Sequence, residues 1–255
     1  MTLQARRSFQ AIILASLGLF LLSKIWSGTF FWYLNQRFLL LTLIAATGFL
    51  AMPLVVLLNR KKDAAEAPPP EQDHAPRQDH AHNHTHQPVR GLIVVALPIV
   101  LGVIIPARPL SASAVANKEL NTTAALAASG NVTAAELNIT STERTVLDWV
   151  RAFNYESKPA IFEGQMADVV GFVYHDARLP AGQFLAGRFA ITHCVAEAVA
   201  IGVIVDWPKA ALADNLWVRV KGPIRVATLN GKPIPMIVAE SVEQITEPAR
   251  PYLYP

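Results

Sequence analysis

Phe38–Leu58, FLLLTLIAATGFLAMPLVVLL, decides the class of this chain: it runs for 21 residues without a charge. About 20 apolar residues carry a helix across the hydrocarbon core of a bilayer. Pro53 is tolerable there because neighbouring helices can satisfy the backbone groups it frees. Upstream, Phe9–Ile25 is a second apolar run, preceded by Arg6 and Arg7 and closed by Lys24 and Trp26. A lysine near a helix end snorkels to the interface, and Trp26, Trp32 and Tyr33 read as an aromatic belt. A cleaved signal peptide is the competing reading of this run. The absence of a prompt small-x-small cleavage pattern, with a second span close behind, speaks against it. Downstream, Gly91–Ala107 is shorter, contains Pro98, and ends in Pro106, Arg108 and Pro109. It reads as a third span, with a re-entrant segment as the alternative. The composition agrees: 52% of the residues are hydrophobic and 16% charged, against about 25% charged in soluble domains.

The charges beside these runs set an orientation. If three helices cross, Arg6 and Arg7 share one side with Arg60, Lys61, Lys62, Arg77 and Arg90. Lys24, Arg37, Arg108 and Lys118 fall on the other. The positive-inside rule then places the N-terminus and the 59–90 loop in the cytoplasm and the C-terminal half outside. If the third run does not cross, the C-terminal assignment reverses. The expected organisation is two transmembrane helices in 1–58, a cytoplasmic loop over 59–90, a third helix over 91–107, a linker over 108–140, an extracytoplasmic domain over 141–250 and a tail over 251–255. The multi-pass protein belongs in the cell membrane.

The 59–90 loop is low in complexity, with Pro68-Pro69-Pro70 followed by DHAPRQDHAHNHTHQ. Such a composition buries no core and is expected to be disordered. It carries five of the seven histidines: His74, His80, His82, His84 and His86. Alternating imidazoles, with Asp73 and Asp79 nearby, suit a borderline transition-metal ion, zinc first, as a buffer or sensor. A merely polar linker is the plainer reading. Ser111–Thr140, rich in Ala, Ser, Thr and Asn, reads as a linker outside the membrane. Its three N-x-T sequons, at Asn121, Asn131 and Asn138, matter only in a glycosylating pathway.

From Ser141 the pattern becomes that of a folded domain. Ser141-Thr142-Glu143 opens a helix through about Phe153, with Val146, Leu147, Trp149 and Val150 on its apolar face. Strand patterns follow at Met166–Tyr174, Gln183–Thr192, Ile201–Val205, Asn215–Lys221, Arg225–Leu229 and Lys232–Val242. Along Gln183–Thr192, Leu185, Phe189 and Ile191 share one side and Arg188 takes the other. Asn230-Gly231 signals a hairpin, since both residues tolerate positive φ. The fold class is thus a membrane protein: three N-terminal transmembrane helices, then a small α+β or all-β domain. For that domain an OB-like barrel is the first choice and a β-sandwich the second.

Four segments carry a resemblance: GFVYHD at Gly171–Asp176, GRFAITHCVAEAVAIGV at Gly187–Val203, LWVRVKG at Leu216–Gly222 and PYLYP at Pro251–Pro255. With the order of spans, loop and domain, they resemble the YcgQ-like family of bacterial membrane proteins. The resemblance implies an accessory subunit of a two-component permease, a polytopic partner subunit, and a suspected link to metal supply. It covers most of the chain, apart from the 59–90 loop and the 111–140 linker. The family's motif looks like Cys-Cys-x-Ala-Asp, whereas this chain reads His193-Cys194-Val195-Ala196-Glu197. Histidine for cysteine and glutamate for aspartate exchange one metal-ligating residue for another. The loss of a vicinal thiol puts dithiol chemistry in doubt.

Cys194 is the sole cysteine, which excludes an internal disulfide and an all-cysteine metal site within one chain. In a regular strand, His193 and Cys194 point to opposite faces. At a strand-to-helix junction, His193, Cys194 and Glu197 can lie together. His175 and Asp176 are the other candidates to converge there. The plainer reading is a small buried Cys194 beside a satisfied His193. No phosphate-binding loop, nucleophile elbow or zinc-protease helix is present, and a Cys194–His175 nucleophile pair has little to support it. The protein reads as no enzyme and, placed outside the membrane, as no nucleic-acid binder. Two functions remain: the permease subunit, linked to transition-metal handling, and a membrane-anchored binding or assembly module that moves nothing.

Overall fold

A computed structural model describes residues 3–65, 90–116, 139–209, 211–229 and 231–254. The chain forms two units. The first is Met1–Phe30 with Arg37–Ala107, and the second is Phe31–Gln36 with Arg108–Pro255.

The first unit contains three helices: α1 (Leu3–Trp26), α2 (Leu39–Ala65) and α3 (Arg90–Ile104). Two stretches, Ser8–Trp26 and Gln36–Val55, are long and apolar enough to cross a membrane. Leu19, Leu40, Ile44 and Met52 stay exposed. The helices approach through small residues. A Cβ at Gly18 would come within 2.8 Å of the Leu50 side chain and 2.9 Å of the Ala46 carbonyl on α2. One at Gly102 on α3 would collide with the Phe20 ring. Such close backbone approach is the usual basis of helix packing in lipid, where hydrophobicity cannot drive association. Pro53 and Pro98 lie inside α2 and α3. At 15 residues, α3 is the shortest of these helices.

The second unit opens with a short helix α4 (Ala112–Ala116), then α5 (Val146–Tyr155) and seven strands: β1 (Met166–Tyr174), β2 (Gln183–Ala190), β3 (Val199–Asp206), β4 (Trp217–Leu229), β5 (Lys232–Val238), β6 (Ser241–Gln244) and β7 (Tyr252–Leu253). The helix begins at Val146, five residues beyond the Ser141 with which its sequence pattern opened. Thr145 is its cap, because Thr145 and Asp148 close a reciprocal capping box. Ser141–Glu143 forms a separate 3-10 turn. The apolar face of α5 covers one face of the sheet, with Trp149, Phe153 and Phe162 packed over Val169, Phe184, Val203 and Ile237. Phe162 meets Trp149 edge-on at 6.0 Å and stacks on Phe153 at 5.2 Å.

The strands pair in the order β1-β2-β3-β5-β4-β6, and β1 also pairs with β4, so the first five return to their start. All five contacts of this cycle are antiparallel except the parallel pair β3–β5. The sequence pattern split β4 at Gly222-Pro223, yet the strand is continuous there. It exchanges partners: up to Pro223 it pairs with β1, and from Ile224 with β5. A Cβ at Gly222 would strike the Val238 carbonyl, so only glycine lets the strand turn this corner. Lys232–Val242, expected as one strand, is two, because one extra residue bulges out after Val238: β6 continues along the same edge of β4 as β5, with the register shifted by one so that Ile237 faces Ile224 and Ser241 faces Lys221. Leu229 faces Lys232 across the hairpin, with Gly231 at φ 74°.

A second cluster lies on the other face of the sheet: Phe172, Phe189, Trp217 and Tyr252, together with Ala112 and Val115 of α4. Trp32 and Leu110 pack against it. Two sequence expectations change here. Trp32 joins the core of this unit instead of standing in an interfacial belt. Residues 108–116, read as linker, are docked: the Leu110 amide donates to Tyr252 Oη at 2.6 Å and the Ala112 amide to Asn215 Oδ1 at 2.9 Å. Small Ala112 and Val115 side chains fill the gap beside Trp217, where the linker composition hid their apolar contact.

Candidate functional site

The segment singled out by its histidine and cysteine lies just past β2. The Ile191 amide still donates to Leu253 O at 2.9 Å, and Val195–Glu197 then form one 3-10 turn. The turn puts residues four apart on one side, and His193 Nδ1 meets Glu197 Oε2 at 2.8 Å. Both side chains are exposed, at 63% and 57%. Cys194 is half-buried and its thiol is free.

What holds this turn comes from far away in sequence. Residues 33–35 lie antiparallel to 193–195, with Leu34 opposite Cys194. The Asn35 amide donates to His193 O at 3.0 Å, and the Val195 amide to Tyr33 O at 2.9 Å. The fully buried Asn35 side chain donates from Nδ2 to Ile191 O at 3.2 Å and to Thr192 O at 2.9 Å. The C-terminal residues complete the clasp. Tyr254 Oη donates to Phe31 O at 2.9 Å, and the Arg250 guanidinium lies 5.0 Å over the Phe31 ring.

His175 does not join this group. It follows β1, and Tyr174 at the end of β1 is opposite Leu185 near the start of β2. Because β1 and β2 are antiparallel, His175 sits at the opposite end of the pair from His193, with six residues of β2, Leu185–Ala190, and its exit between their levels. Its Nδ1 meets Asp214 Oδ1 at 2.7 Å, and its backbone amide donates to the same oxygen at 2.9 Å. Asp176 pairs with Arg178, whose guanidinium holds its carboxyl below the usual range. No group of three or more His, Cys, Asp or Glu side chains that could hold a metal ion occurs among the described residues. His74, His80, His82, His84 and His86 lie outside them, as do Asp73 and Asp79.

Sequence reasoning missed the role of Arg188. It is 6% exposed, although alternation had put it opposite the apolar side of β2. Both faces of this strand are covered, so alternation does not separate inside from outside. Its Nη1 donates to Val170 O at 3.3 Å and its Nη2 to Arg250 O at 3.1 Å, and the guanidinium lies 5.1 Å over the Trp217 ring. Burial pushes it down to about 10. Arg188 thus fastens the C-terminal segment to β1, and that segment in turn grips Phe31. Burial also pushes the Tyr252 phenol up to about 12, against a smaller downward pull from the Leu110 amide. The available signal was a lone arginine in a strand otherwise free of charge.

The family comparisons cover the chain in two pieces. Residues 9–121 match the DUF1980 N-terminal domain and residues 116–255 the DUF1980 C-terminal domain. The chain belongs to the DUF1980 family. Over 98 residues it is 29% identical to a Streptococcus mutans protein named "Putative two-component membrane permease complex subunit", covering 38% of this chain and 36% of that one. Over 107 residues it is 29% identical to the UPF0703 protein YcgQ of Bacillus subtilis, covering 40% of this chain and 36% of the relative. The aligned stretches thus span about a third of each relative. The resemblance read from the four sequence segments is borne out at the level of the family. No solved structure matches the chain.

Proposed function

We propose that this DUF1980 protein is an accessory, non-catalytic subunit of a two-component membrane permease. In this reading its helices dock on a polytopic partner and its C-terminal domain, an OB-like barrel, binds substrate or partner outside the cell. The observation that carries the proposal is the character of the helices. No ionisable side chain lies between Phe9 and Ser23 or between Phe38 and Leu58. Transport paths place charged or polar groups within the membrane, so these helices need a partner to move anything. The name of the S. mutans relative supports the same reading. The cyclic strand order with parallel β3–β5 supports the barrel. The charge bias of Arg6, Arg7 and Arg60–Lys62 supports a cytoplasmic N-terminus.

The transition-metal reading of its cargo, zinc included, rests on the histidine-rich loop, on the metal-ligating residue types at His193, Cys194 and Glu197, and on the metal link that the family resemblance implies. The test is affinity purification of the full-length tagged protein from its native membrane in mild detergent. A polytopic permease is expected at a constant ratio to the tagged chain. Recovery of the chain alone, with uptake of solutes unchanged in a deletion strain, would replace the permease subunit with the assembly module.

A further inference from the structure

The loop between α1 and α2 is a structural part of the C-terminal domain, and this constrains the path of the chain. Phe31–Gln36 belongs to the same unit as Arg108–Pro255. Its residues 33–35 pair with 193–195, its Asn35 is buried at 0% exposure, and Tyr254 and Arg250 close over Phe31. The loop is covalently tied to the end of α1 on one side and the start of α2 on the other. When α1 and α2 cross the membrane in opposite directions, this loop and the domain that incorporates it lie on one side. The far end of α2 lies on the other. The chain must then return between Ala65 and Arg108.

We infer that residues 90–107 cross the membrane in full, and that the turn bearing His193, Cys194 and Glu197 lies on the opposite side from the histidine-rich loop. The inference rests on the reading that α1 and α2 are membrane spans, and it fixes what charge bias alone left conditional. Length permits it. The 15 residues of α3 rise about 22 Å, and Ile105–Ala107 add about 10 Å when extended. The sum matches a hydrocarbon core of about 30 Å. Leaving the helix early is tolerable here: the Ile105 amide still donates to Leu101 O at 2.8 Å, and Pro106 has no N–H to satisfy. One consequence is chemical: the loop histidines and His193 cannot share an ion.

The lone cysteine supplies the test. Leu34 and Cys194 form a non-hydrogen-bonded antiparallel pair, since the flanking residues make the two bonds. Cα atoms in such pairs are about 4.5 Å apart, inside the disulfide range of about 4.4–6.8 Å. Leu34→Cys in the full-length protein, in native membranes treated with copper-phenanthroline, should lose both thiols per chain. The two thiols give two electrons and two protons to the oxidant as the S–S bond forms. Tyr33→Cys, whose side chain points to the other face of the pairing, should keep both. If Leu34→Cys retains both thiols, the loop is not part of the domain and the inference falls.

A second arm does not depend on Leu34. In a Cys194→Ser background, a membrane-impermeant maleimide should label Ser157→Cys in intact cells. It should reach Ala75→Cys only after permeabilisation. Labelling of both positions from one side would overturn the crossing. Failure to recover a permease partner would leave both readouts unchanged, so the two readings fail separately.

Discussion

The two faces of the C-terminal sheet are closed in different ways. One is covered by α5, a single capped helix whose six buried side chains are contiguous with the strands they cover. The other is covered by three pieces from distant parts of the chain: residues 31–36, α4 and its lead-in, and the terminal Tyr252–Tyr254. A local cover depends on a helix that begins to form on its own. A composite cover depends on its pieces being brought together from residues far apart in the chain. The composite side carries the His193–Glu197 turn, so the segment most suggestive of binding is also the one whose geometry is supplied by residues distant in sequence.

If that contrast is right, damage to the two sides should differ in kind. The largest effect is expected from Trp149→Ala. It removes a fully buried ring, its edge contact with Phe162 and the platform 4.9 Å under Arg144. Loss of a buried aromatic costs about 4 kcal/mol, and thermal unfolding of the purified protein followed by circular dichroism should show the whole domain melting earlier. Asn35→Ala should do something else. It leaves Ile191 O and Thr192 O without their side-chain donor, at about 2 kcal/mol. The effect should be local: amide exchange at Val195 rises about 30-fold while the α5 amides keep their protection. Equal deprotection of α5 would mean that the two covers open together and that the contrast is wrong.

The same contrast explains what could be read from the sequence. The α5 side was legible, because Val146, Leu147, Trp149 and Val150 recur at helical spacing and β1 was bounded correctly at Met166–Tyr174. The composite side was not. Trp32 resembled an interfacial anchor, Ala112 and Val115 looked like linker, and nothing local to Asn35 announces that it caps a turn 156 residues away. Arg188 was not recognised as buried, because its hydrogen-bond partners are backbone carbonyls, which carry no residue signature. His193 and Glu197 were paired correctly from their spacing. His175 was not, since antiparallel pairing sends successive strand ends apart.

Smaller perturbations sharpen the comparison. Thr145→Ala removes the hydroxyl that accepts from the Asp148 amide, and a lost N-cap costs about 1 kcal/mol. The melting temperature should fall modestly, and exchange at Val195 should stay as in the parent protein. A change at Val195 of the size seen with Asn35→Ala would link the α5 cap to the far face of the sheet.

The smallest effect should fade in acid. Asp168 on β1 accepts from Arg219 Nε and Nη2, both at 2.7 Å, with Lys221 Nζ at 3.7 Å. The Arg219 hydrogen bonds, more than the added attraction of Arg219 and Lys221, hold its carboxyl below the usual range against the opposing pull of partial burial. A carboxyl depressed in the folded state is protonated first in the unfolded chain as pH falls. Its contribution is therefore complete above the ordinary aspartate value of about 3.9 and is lost as pH drops through the lower folded value. Asp168→Asn should lower stability near pH 7 by less than about 1 kcal/mol, because exposed pairs contribute little, and the gap to the parent should close below about pH 4, which makes the variant's decline flatter. It should not abolish that decline, since Asp176, held low by Arg178, titrates in the same direction. Melting temperatures of parent and variant at neutral pH and at pH 3 decide the matter, and an unchanged slope would show that the β1–β4 edge owes nothing to this pair.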